Sequence, residues 1–336
     1  METRNLLTSI TRFFIVIFLL MSAGCKTDPG SPDQRIPVIL DTDANNELDD
    51  QHAIAYMLQN QEAFDILGIT VNSTQNGGYI EDHYREAMRI LTLFNQEDNI
   101  IVRRGADTTF AEIREHLDTP GYDGEEAVDF IIAEAGKFTG SEEQLVLIPI
   151  GKLTNIALAL EKEPAIADNI RVVWLGSNYP EPGEYNLEND TSALNYMLEK
   201  EVHFEIVTVS YGRKTGTSDL VVSLPEIDSV MPGLGPQSET AITGRHGGTY
   251  SNFGDYAVNL FHHIDLYGDP PSRSLFDLGA VAIVKNPEWA VPRSVPAPFY
   301  GAGGWVDRPG NEREIILWEH FDRDSIVNDL YRSLGK

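Results

Sequence analysis

Strand-like apolar runs alternate with amphipathic helical stretches along most of this sequence. The apolar runs are rich in Val, Ile and Leu; one starts at residue 36, and the others occupy residues 65–71, 99–102, 145–150, 171–175 and 202–209. The amphipathic stretches between them occupy residues 50–59, 79–94, 125–137, 153–161 and 191–200. This alternation is typical of βαβ units, because parallel neighbouring strands need a crossover helix. The pattern predicts an α/β fold with an open, mostly parallel sheet and helices on both faces.

The alternation breaks down between about residue 223 and residue 271. Gly, Pro, Ser and His are frequent there, and one long helical pattern occupies about residues 253–267. Long segments that interrupt a regular pattern often cover a binding site. We therefore predict a single domain over residues 35–336 that carries a lid insertion at about 223–271.

The first 34 residues have the composition of an export signal followed by a linker. Arg4 and Arg12 precede an apolar run at residues 13–21, which is too short to span a bilayer but suits a signal peptide over residues 1–24. Cys25 follows Ala-Gly as in a bacterial lipobox, in which the cysteine is acylated, and residues 25–34 read as a tether. We expect an exported bacterial lipoprotein, periplasmic or on the outer membrane, that meets the membrane only through this anchor. The alternative is ordinary cleavage near Gly24.

The net charge of the chain limits the kinds of ligand that it is expected to bind. The chain has 336 residues, with 52 Asp and Glu against 25 Lys and Arg, which gives a formal net charge of −27. Such a surface repels phosphate backbones, which argues against nucleic acid as a partner, and it attracts cations. The single cysteine excludes an intramolecular disulfide.

Four aspartates follow the first apolar run: Asp41, Asp43, Asp49 and Asp50. A continuous apolar run suits a strand buried on both faces, so these acids would gather at the strand's carboxyl end and at the start of the next helix. Carboxylates this close repel one another unless a cation neutralises them, and oxygen ligands suit Ca²⁺ or Mg²⁺. The stretch indicates a metal site; the alternative is a solvated acidic turn that caps a helix.

This stretch resembles the N-terminal motif Asp-x-Asp-x-x-x-Asp-Asp of the calcium-dependent nucleoside hydrolases, the inosine–uridine-preferring family. Here five residues, 44–48, separate Asp43 from Asp49, where the family usually has three. Four later segments resemble the family in the right order, as far as about residue 285. The resemblance implies a nucleoside hydrolase-like fold, Ca²⁺ as the cofactor and a homodimeric or homotetrameric assembly.

Two of these segments follow predicted strands. Asn76, in Asn-Ser-Thr-Gln-Asn-Gly-Gly, matches the family's ribose-binding Asn, although the alignment also allows Asn72; the alternative is an ordinary Asn-Gly turn. The segment 147–155 looks like the family's Gly-Pro-Leu-Thr-Asn, with Lys152 in place of Pro. There the resemblance implies that the main-chain carbonyl of Ile150 binds the metal.

The most specific segment contains Asn178, Glu184, Tyr185, Asn186 and Asp190. It is similar to the family's ribose motif, an Asn followed at fixed spacing by Glu-Phe-Asn and then Asp, with Tyr185 in place of Phe. Carboxylate and amide groups pair well with sugar hydroxyls, which both donate and accept hydrogen bonds. The alternative is a polar loop in which Asp190 caps a helix.

The last segment begins Phe276-Asp277 and looks like the family's His-Asp-x-x-Ala-Val-Ala, whose Asp binds calcium. Phe276 stands where many members carry the His that protonates the leaving base. A Phe cannot transfer a proton, but it stacks on a heteroaromatic base, an arrangement that purine-preferring members resemble; the alternative is a plain core aromatic. His246, in a Gly-flanked loop, is the best candidate for a substitute acid.

The resemblance implies a division of roles within one site. The metal ligands would be Asp43, Asp50, Asp277 and the carbonyl of Ile150, the ribose ligands Asp49, Asn76, Asn178, Glu184 and Asn186, and the base contact Phe276. Asp43 would also accept the proton of the attacking water. We therefore expect calcium-dependent hydrolysis of the N-glycosidic bond of ribonucleosides, purine nucleosides preferred, to free base and ribose.

Three alternatives stay open. Asp41-Thr-Asp43 also begins like a phosphatase of the haloacid dehalogenase type, but Asn45 stands where Thr or Val is expected, and the ribose motif would be unexplained. A lipid-anchored nucleoside- or ribose-binding protein that kept the ion and lost turnover is the second. The third is a hydrolase of another N-riboside.

Overall fold

The computed structural model describes residues 35–335, so the predicted signal peptide and the whole predicted tether, with Cys25, lie outside the described residues. The strands are β1 Ile36–Thr42, β2 Phe64–Val71, β3 Val102–Arg104, β4 Leu145–Pro149, β5 Ile170–Leu175, β6 His203–Val207, β7 Val221–Ser223, β8 Ile242–Thr243, β9 Thr249–Tyr250, β10 Ser272–Ser274, β11 Val291–Pro296, β12 Phe299–Gly301, β13 Gly304–Val306 and β14 Glu314–Glu319. The helices are α1 Asp49–Gln59, α2 Ile80–Leu93, α3 Phe110–Ile113, α4 Glu125–Gly136, α5 Thr154–Lys162, α6 Tyr185–Asn189, α7 Thr191–Glu199, α8 Leu224–Val230, α9 Phe253–Phe261, α10 Leu278–Lys285 and α11 Arg323–Leu334.

An eight-stranded sheet forms the centre of the fold, in the order β11-β14-β6-β5-β4-β1-β2-β3. β1 lies between β2 and β4 and is parallel to both. β14 is also parallel to its neighbour β6, and only the edge strand β11 runs antiparallel within this sheet. The predicted open, mostly parallel sheet is confirmed; β11 and β14 were not among the predicted strands.

Alternating side chains of β1 enter two hydrophobic cores on opposite faces of the sheet. Val38 and Leu40 pack into the core beneath α1, α2, α10 and α11, whereas Ile39 packs into the core beneath α4, α5 and α7. Because successive side chains of a strand point to opposite faces, a strand buried on both faces needs an unbroken apolar run. This is why residues 36–40 carry no alternating polar position.

Two predicted boundaries differ from the structure by more than two residues. β3 begins at Val102 instead of residue 99, because the amides of Asn99 and Ile100 both donate to the carbonyl of Gln96 and form a turn there. The helix predicted over about 253–267 ends at Phe261, because residues beyond it adopt an extended bridge in which Tyr267 exchanges both backbone hydrogen bonds with Ser272. In both places local backbone pairing overrides an apolar pattern.

Part of the segment 223–271, chiefly α9, packs into the core next to α1 and α2. Phe253 and Phe261 are buried, and their rings lie 5.2 Å and 5.7 Å from the buried ring of His52. The hydroxyl of Tyr256 donates to the buried carboxylate of Glu86 at 2.6 Å. No helix within residues 35–335 is both long and apolar enough to cross a membrane.

A buried carboxylate on β6 ties three strands together. Glu205 accepts hydrogen bonds from Arg171 Nε at 2.6 Å and Trp318 Nε1 at 2.5 Å, and His203 Nε2 lies 2.8 Å from it. Burial alone would raise the pKa of Glu205, but the hydrogen bonds from His203, Arg171 and Trp318 outweigh burial and lower the pKa to about 2. The ionised form is therefore a stabilising part of the sheet.

Replacing Glu205 by Gln is expected to lower the free energy of unfolding near neutral pH by about 3 kcal/mol, which is the energy equivalent of the depressed pKa. Because the folded pKa lies below the ordinary value of 4.5, this stabilisation is complete above that pH and is lost as the pH falls toward 2. Urea unfolding at neutral and acid pH measures it, with the exposed Glu312→Gln as the matched control. A difference between the two variants that stays constant with pH would contradict the expectation.

Candidate active site

A cavity of about 560 Å³ opens at the carboxyl edge of the parallel strands. Its walls come from the residues that follow β1, β4, β5 and β6, from the start of α1, and from the segment that leads into α10. The lining residues are Asp43, Asn46, Glu47, Asp49, Asp50, Ile150, Leu175, Glu184, Tyr185, Asn186, Val209, Tyr211, Val221, Tyr267, Gly268, Ser272, Arg273, Ser274, Phe276 and Asp277. Its size suits a small-molecule ligand, for which roughly 300–1,000 Å³ is usual.

Three buried aspartates form the densest group of charges in this cavity. Carboxylate oxygens of Asp49, Asp50 and Asp277 all lie within 4.8 Å of one another. Burial raises the pKa of Asp49 to about 7, and burial together with the neighbouring carboxylates raises the pKa values of Asp50 and Asp277 well above their usual range. The three groups are all anionic oxygen donors that are removed from water, which is the donor set that a hard divalent cation needs. The residues therefore fit such a cation.

Asp43 and Ile150 complete the predicted metal-binding set in the same cavity. Asp43 Oδ2 accepts hydrogen bonds from Thr74 Oγ1 at 2.5 Å and from Asn46 Nδ2 at 3.3 Å. A side chain at Gly151 would bring its Cβ within 2.9 Å of Asp43 Oδ1, so only glycine lets this turn approach the carboxylate. The structure thus places Asp43, Asp50, Ile150 and Asp277 in one cavity, where Asp49 clusters with Asp50 and Asp277.

The lengthened connection 44–48 does not remove Asp49 and Asp50 from the cavity. It folds as a turn whose first and last side chains, Ala44 and Leu48, are fully buried. Gln51 Nε2 donates to the carbonyl of Ala44 at 2.6 Å and so ties the turn to α1. The buried side chains of Ala44 and Leu48 fix the two ends of the connection. The additional residues lie between them, and Asp49 and Asp50 still begin α1.

Glu184 is held rigidly at the start of α6. Its carboxylate accepts backbone N–H bonds from Ser177, Asn186 and Leu187 at 2.9–3.0 Å. Burial nevertheless raises its pKa to about 7. The side-chain amide of Asn186 donates to the carbonyls of Ile150 at 2.9 Å and Leu175 at 3.1 Å, which links this motif to the strand ends below.

Three predicted site residues do not line the cavity. The side chain of Asn76 is exposed, and its backbone N–H donates to Tyr185 Oη at 2.9 Å. Asn178 Oδ1 accepts from the backbone N–H of Tyr211 at 2.8 Å, so it fixes the loop after β6. His246 is exposed, and its ring stacks on that of His263 with 4.9 Å between centroids. Sequence spacing alone does not reveal these local partners.

Asp41 lies behind the cavity and not in its wall. Its carboxylate accepts hydrogen bonds from Thr70 Oγ1 at 2.6 Å, Asn155 Nδ2 at 2.7 Å and Asn72 Nδ2 at 2.8 Å. Burial raises its pKa to about 7. The grouping of Asp41 with the ligand-facing acids was therefore wrong. Its side chain faces away from the cavity, and its hydrogen bonds connect β1 to β2 and α5.

The cavity also contains residues that the motifs do not single out, among them Tyr211, Tyr267 and Arg273. Phe276 faces the ring of Tyr211 edge-on, with 5.9 Å between centroids. Tyr211 and Tyr267 expose 46% and 64% of their surface, which is unusual for aromatic rings and leaves them free for a ligand. Arg273 also lines the cavity. Its position four residues before Asp277 is the one signal that could have placed it there.

The known proteins to which this chain is similar are nucleoside hydrolases. The family model for the inosine-uridine preferring nucleoside hydrolases matches residues 38–299. The non-specific ribonucleoside hydrolase RihC of Klebsiella pneumoniae is 30% identical over 179 residues, which cover 47% of this chain and 56% of that protein. The pyrimidine-specific ribonucleoside hydrolase RihA of Shewanella woodyi is 31% identical over 184 residues, or 48% and 56%. The chain thus matches just over half the length of these curated relatives.

Solved structures agree on the fold. A plant nucleoside hydrolase, the PpNRh1 enzyme, superposes with a TM-score of 0.68 at 18% identity, covering 89% of this chain and 99% of that one. The purine-preferring ribonucleoside hydrolase from Gardnerella vaginalis has a TM-score of 0.65 at 20% identity, with coverages of 89% and 98%. Since the family model spans well over half of the sequence, the chain belongs to the inosine-uridine preferring nucleoside hydrolase family.

Proposed function

We propose that this protein hydrolyses the N-glycosidic bond of ribonucleosides, with Ca²⁺ as cofactor, to free base and ribose. The observation that carries the proposal is the meeting of the buried cluster Asp49, Asp50 and Asp277 with Asp43 and Glu184 in one cavity. A cleft that gathers several carboxylates with raised pKa values is a typical catalytic site. Family membership supports the same reaction class.

Asp43, Asp50, Asp277 and the carbonyl of Ile150 would hold the ion, with Asp49 beside them. Calcium takes six to eight oxygen ligands in flexible geometry, and mixed carboxylate and carbonyl donors suit it better than they suit the smaller, more rigid magnesium shell. When bound, such an ion supplies Lewis acidity at the water nucleophile.

The remaining steps rest on side chains of the cavity. Asp43 accepts the proton of the attacking water; its carboxylate is oriented for this by Thr74 and Asn46. Positive charge develops on the ribose as the C1′–N bond breaks, and the carboxylates around the sugar stabilise it. Glu184 and Asn186 bind ribose hydroxyls from a preorganised loop.

Purine nucleosides are the favoured substrates within this proposal. The support is the aromatic wall formed by Phe276, Tyr211 and Tyr267, which offers a larger stacking surface to a bicyclic base than to a monocyclic one. Relatives include purine-preferring, pyrimidine-specific and non-specific ribonucleoside hydrolases, so relatedness does not choose among these substrates.

Base release from inosine, adenosine, guanosine, uridine and cytidine tests the proposal. We expect turnover of the purine nucleosides in calcium and a loss of at least about 100-fold after chelation, since metal chemistry usually contributes several kcal/mol. Re-addition of calcium is the control for irreversible damage. Faster uridine turnover would contradict the purine preference. Nucleoside binding without release would instead identify a binding protein.

A further inference from the structure

Arg273 is the one cationic side chain that lines the cavity within residues 35–335. It lies on β10, a short strand that pairs antiparallel with β7 and sets Arg273 opposite Val222. The other charged residues of the lining are six acids: Asp43, Glu47, Asp49, Asp50, Glu184 and Asp277. A lone guanidinium among this many carboxylates is a feature that needs a chemical reason.

The guanidinium is fixed from several sides but keeps one donor free. It forms a close ion pair with Glu47 and lies over the ring of Tyr267, with 5.4 Å from Cζ to the centroid. Its side chain is only 12% exposed. Nε is buried and has no hydrogen-bond partner among the described residues. A buried donor without an acceptor is costly, so a ligand acceptor is the natural partner for it.

Glu47, the partner of Arg273, belongs to the lengthened connection 44–48. Arg245 Nη2 donates to the main-chain carbonyl of Glu47 and so holds the connection in place. The connection 44–48 therefore carries the acid that pairs with Arg273. Lengthening of the loop and placement of the guanidinium form one structural unit.

Cleavage of an N-glycosidic bond places negative charge on the leaving base, and the guanidinium of Arg273 can stabilise that charge. The electron pair of the C1′–N bond stays on the base, which leaves as an anion unless it is protonated. Phe276 cannot supply a proton, and a base anion is repelled by a cavity lined with carboxylates. Arginine is always charged and carries only donors, so it binds anionic acceptors but does not act as an acid.

We propose that Arg273 binds the departing base and stabilises it as an anion by donating an N–H bond to a ring acceptor, such as N7 or O6 of a 6-oxopurine. This inference rests on the proposed hydrolase function. As the C1′–N bond breaks, its electron pair passes to the base; water adds its oxygen to C1′ and gives its proton to Asp43. The base takes a proton from solvent after release, and Arg273 transfers none. Arginine commonly pairs with this O6/N7 edge in nucleic-acid recognition.

Leaving-group dependence tests the proposal. The turnover number is measured for inosine and for p-nitrophenyl β-D-ribofuranoside, whose nitrophenolate leaves readily without help. Arg273→Met is expected to lower kcat for inosine about 100-fold, as removal of one preorganised donor commonly does, and to change kcat for the nitrophenyl riboside less than about threefold. Arg273→Lys should recover part of the inosine rate, since it keeps the charge but loses the fork.

The matched control is Arg213→Met, which breaks an exposed ion pair with Glu181 outside the cavity and should leave both rates unchanged. Equal losses on both substrates in Arg273→Met would show a purely structural role and overturn the proposal, as would an unchanged inosine rate. Failure of the unsubstituted protein to hydrolyse either compound would overturn the hydrolase function itself, and this inference with it.

Discussion

Asp43→Ala is expected to lower kcat for inosine by about 1,000-fold, the range in which general-base catalysis usually contributes. The carboxylate lines the cavity, accepts hydrogen bonds from Thr74 and Asn46, and has a pKa raised chiefly by burial. The carboxylate is thus fixed in position among the groups that face the ligand, so it suits proton abstraction from water better than an exposed aspartate does. Steady-state kinetics with saturating calcium measures the effect.

The control for Asp43→Ala is Asp98→Asn, which neutralises an exposed acid far along the sequence from every lining residue. It should leave kcat unchanged. If Asp43→Ala keeps its activity within about tenfold of the unsubstituted protein, below the usual contribution of a general base, Asp43 is not the proton acceptor.

Asp277→Asn is expected to have opposite effects on stability with and without calcium. In chelator, it relieves repulsion among the clustered carboxylates of Asp49, Asp50 and Asp277, so Tm should rise by about 2–4 °C, which corresponds to roughly 1 kcal/mol in a chain of this size. In calcium, the variant should lose most of the ligand-induced increase in Tm that is expected for the unsubstituted protein. Its activity should fall by at least about 100-fold.

The pH dependence of the chelated protein gives an independent check. The folded pKa values of Asp49, Asp50 and Asp277 lie above the ordinary 3.8, so the folded protein binds more protons than the unfolded chain. The contribution of these three groups to stability in chelator should therefore be complete below pH 3.8 and fall as the pH rises through their folded pKa values, which is about 7 for Asp49, and Asp277→Asn should weaken this fall. Differential scanning fluorimetry across this range measures it. A rise in the chelated protein's stability with pH that depends on these residues would contradict the assignment.

Much of the fold is predictable because β1, β2, β4, β5 and β6 are buried on both faces. Burial on both faces demands unbroken apolar runs, and such runs are legible in a single sequence. The edge strand β11 escapes prediction because it is mostly exposed and carries no such demand, whereas β14 has a legible apolar run at residues 315–318 that was not among the predicted strands. Local backbone pairing, as at residues 99–100, likewise moves boundaries without any apolar signal.

Some residues of the candidate site can likewise be predicted from the sequence, and others cannot. Acids that follow a strand or begin a helix, such as Asp43, Asp50 and Asp277, are placed by the topology of the sheet, so motif spacing identifies them. The positions of side chains on loops depend instead on their hydrogen-bond partners. Asn178 accepts a hydrogen bond from the backbone N–H of Tyr211, and the side chain of Asn76 is exposed to solvent. Arg273 escapes a motif search because its partner, Glu47, comes from the other end of the chain.

The clustering of Asp50 with Asp277 has a consequence for the integrity of the chain as a whole. Five of the eight strands of the central sheet, β2 to β6, lie between these two residues in the sequence, and the chain has one cysteine and hence no internal disulfide. A cation bound by both would act as a cross-link that closes one very long loop, and loop closure restricts the unfolded ensemble more as the loop grows. A bound ion would then stabilise the folded chain as well as contribute to catalysis. Removal of the ion would lower both the stability of the protein and its turnover number.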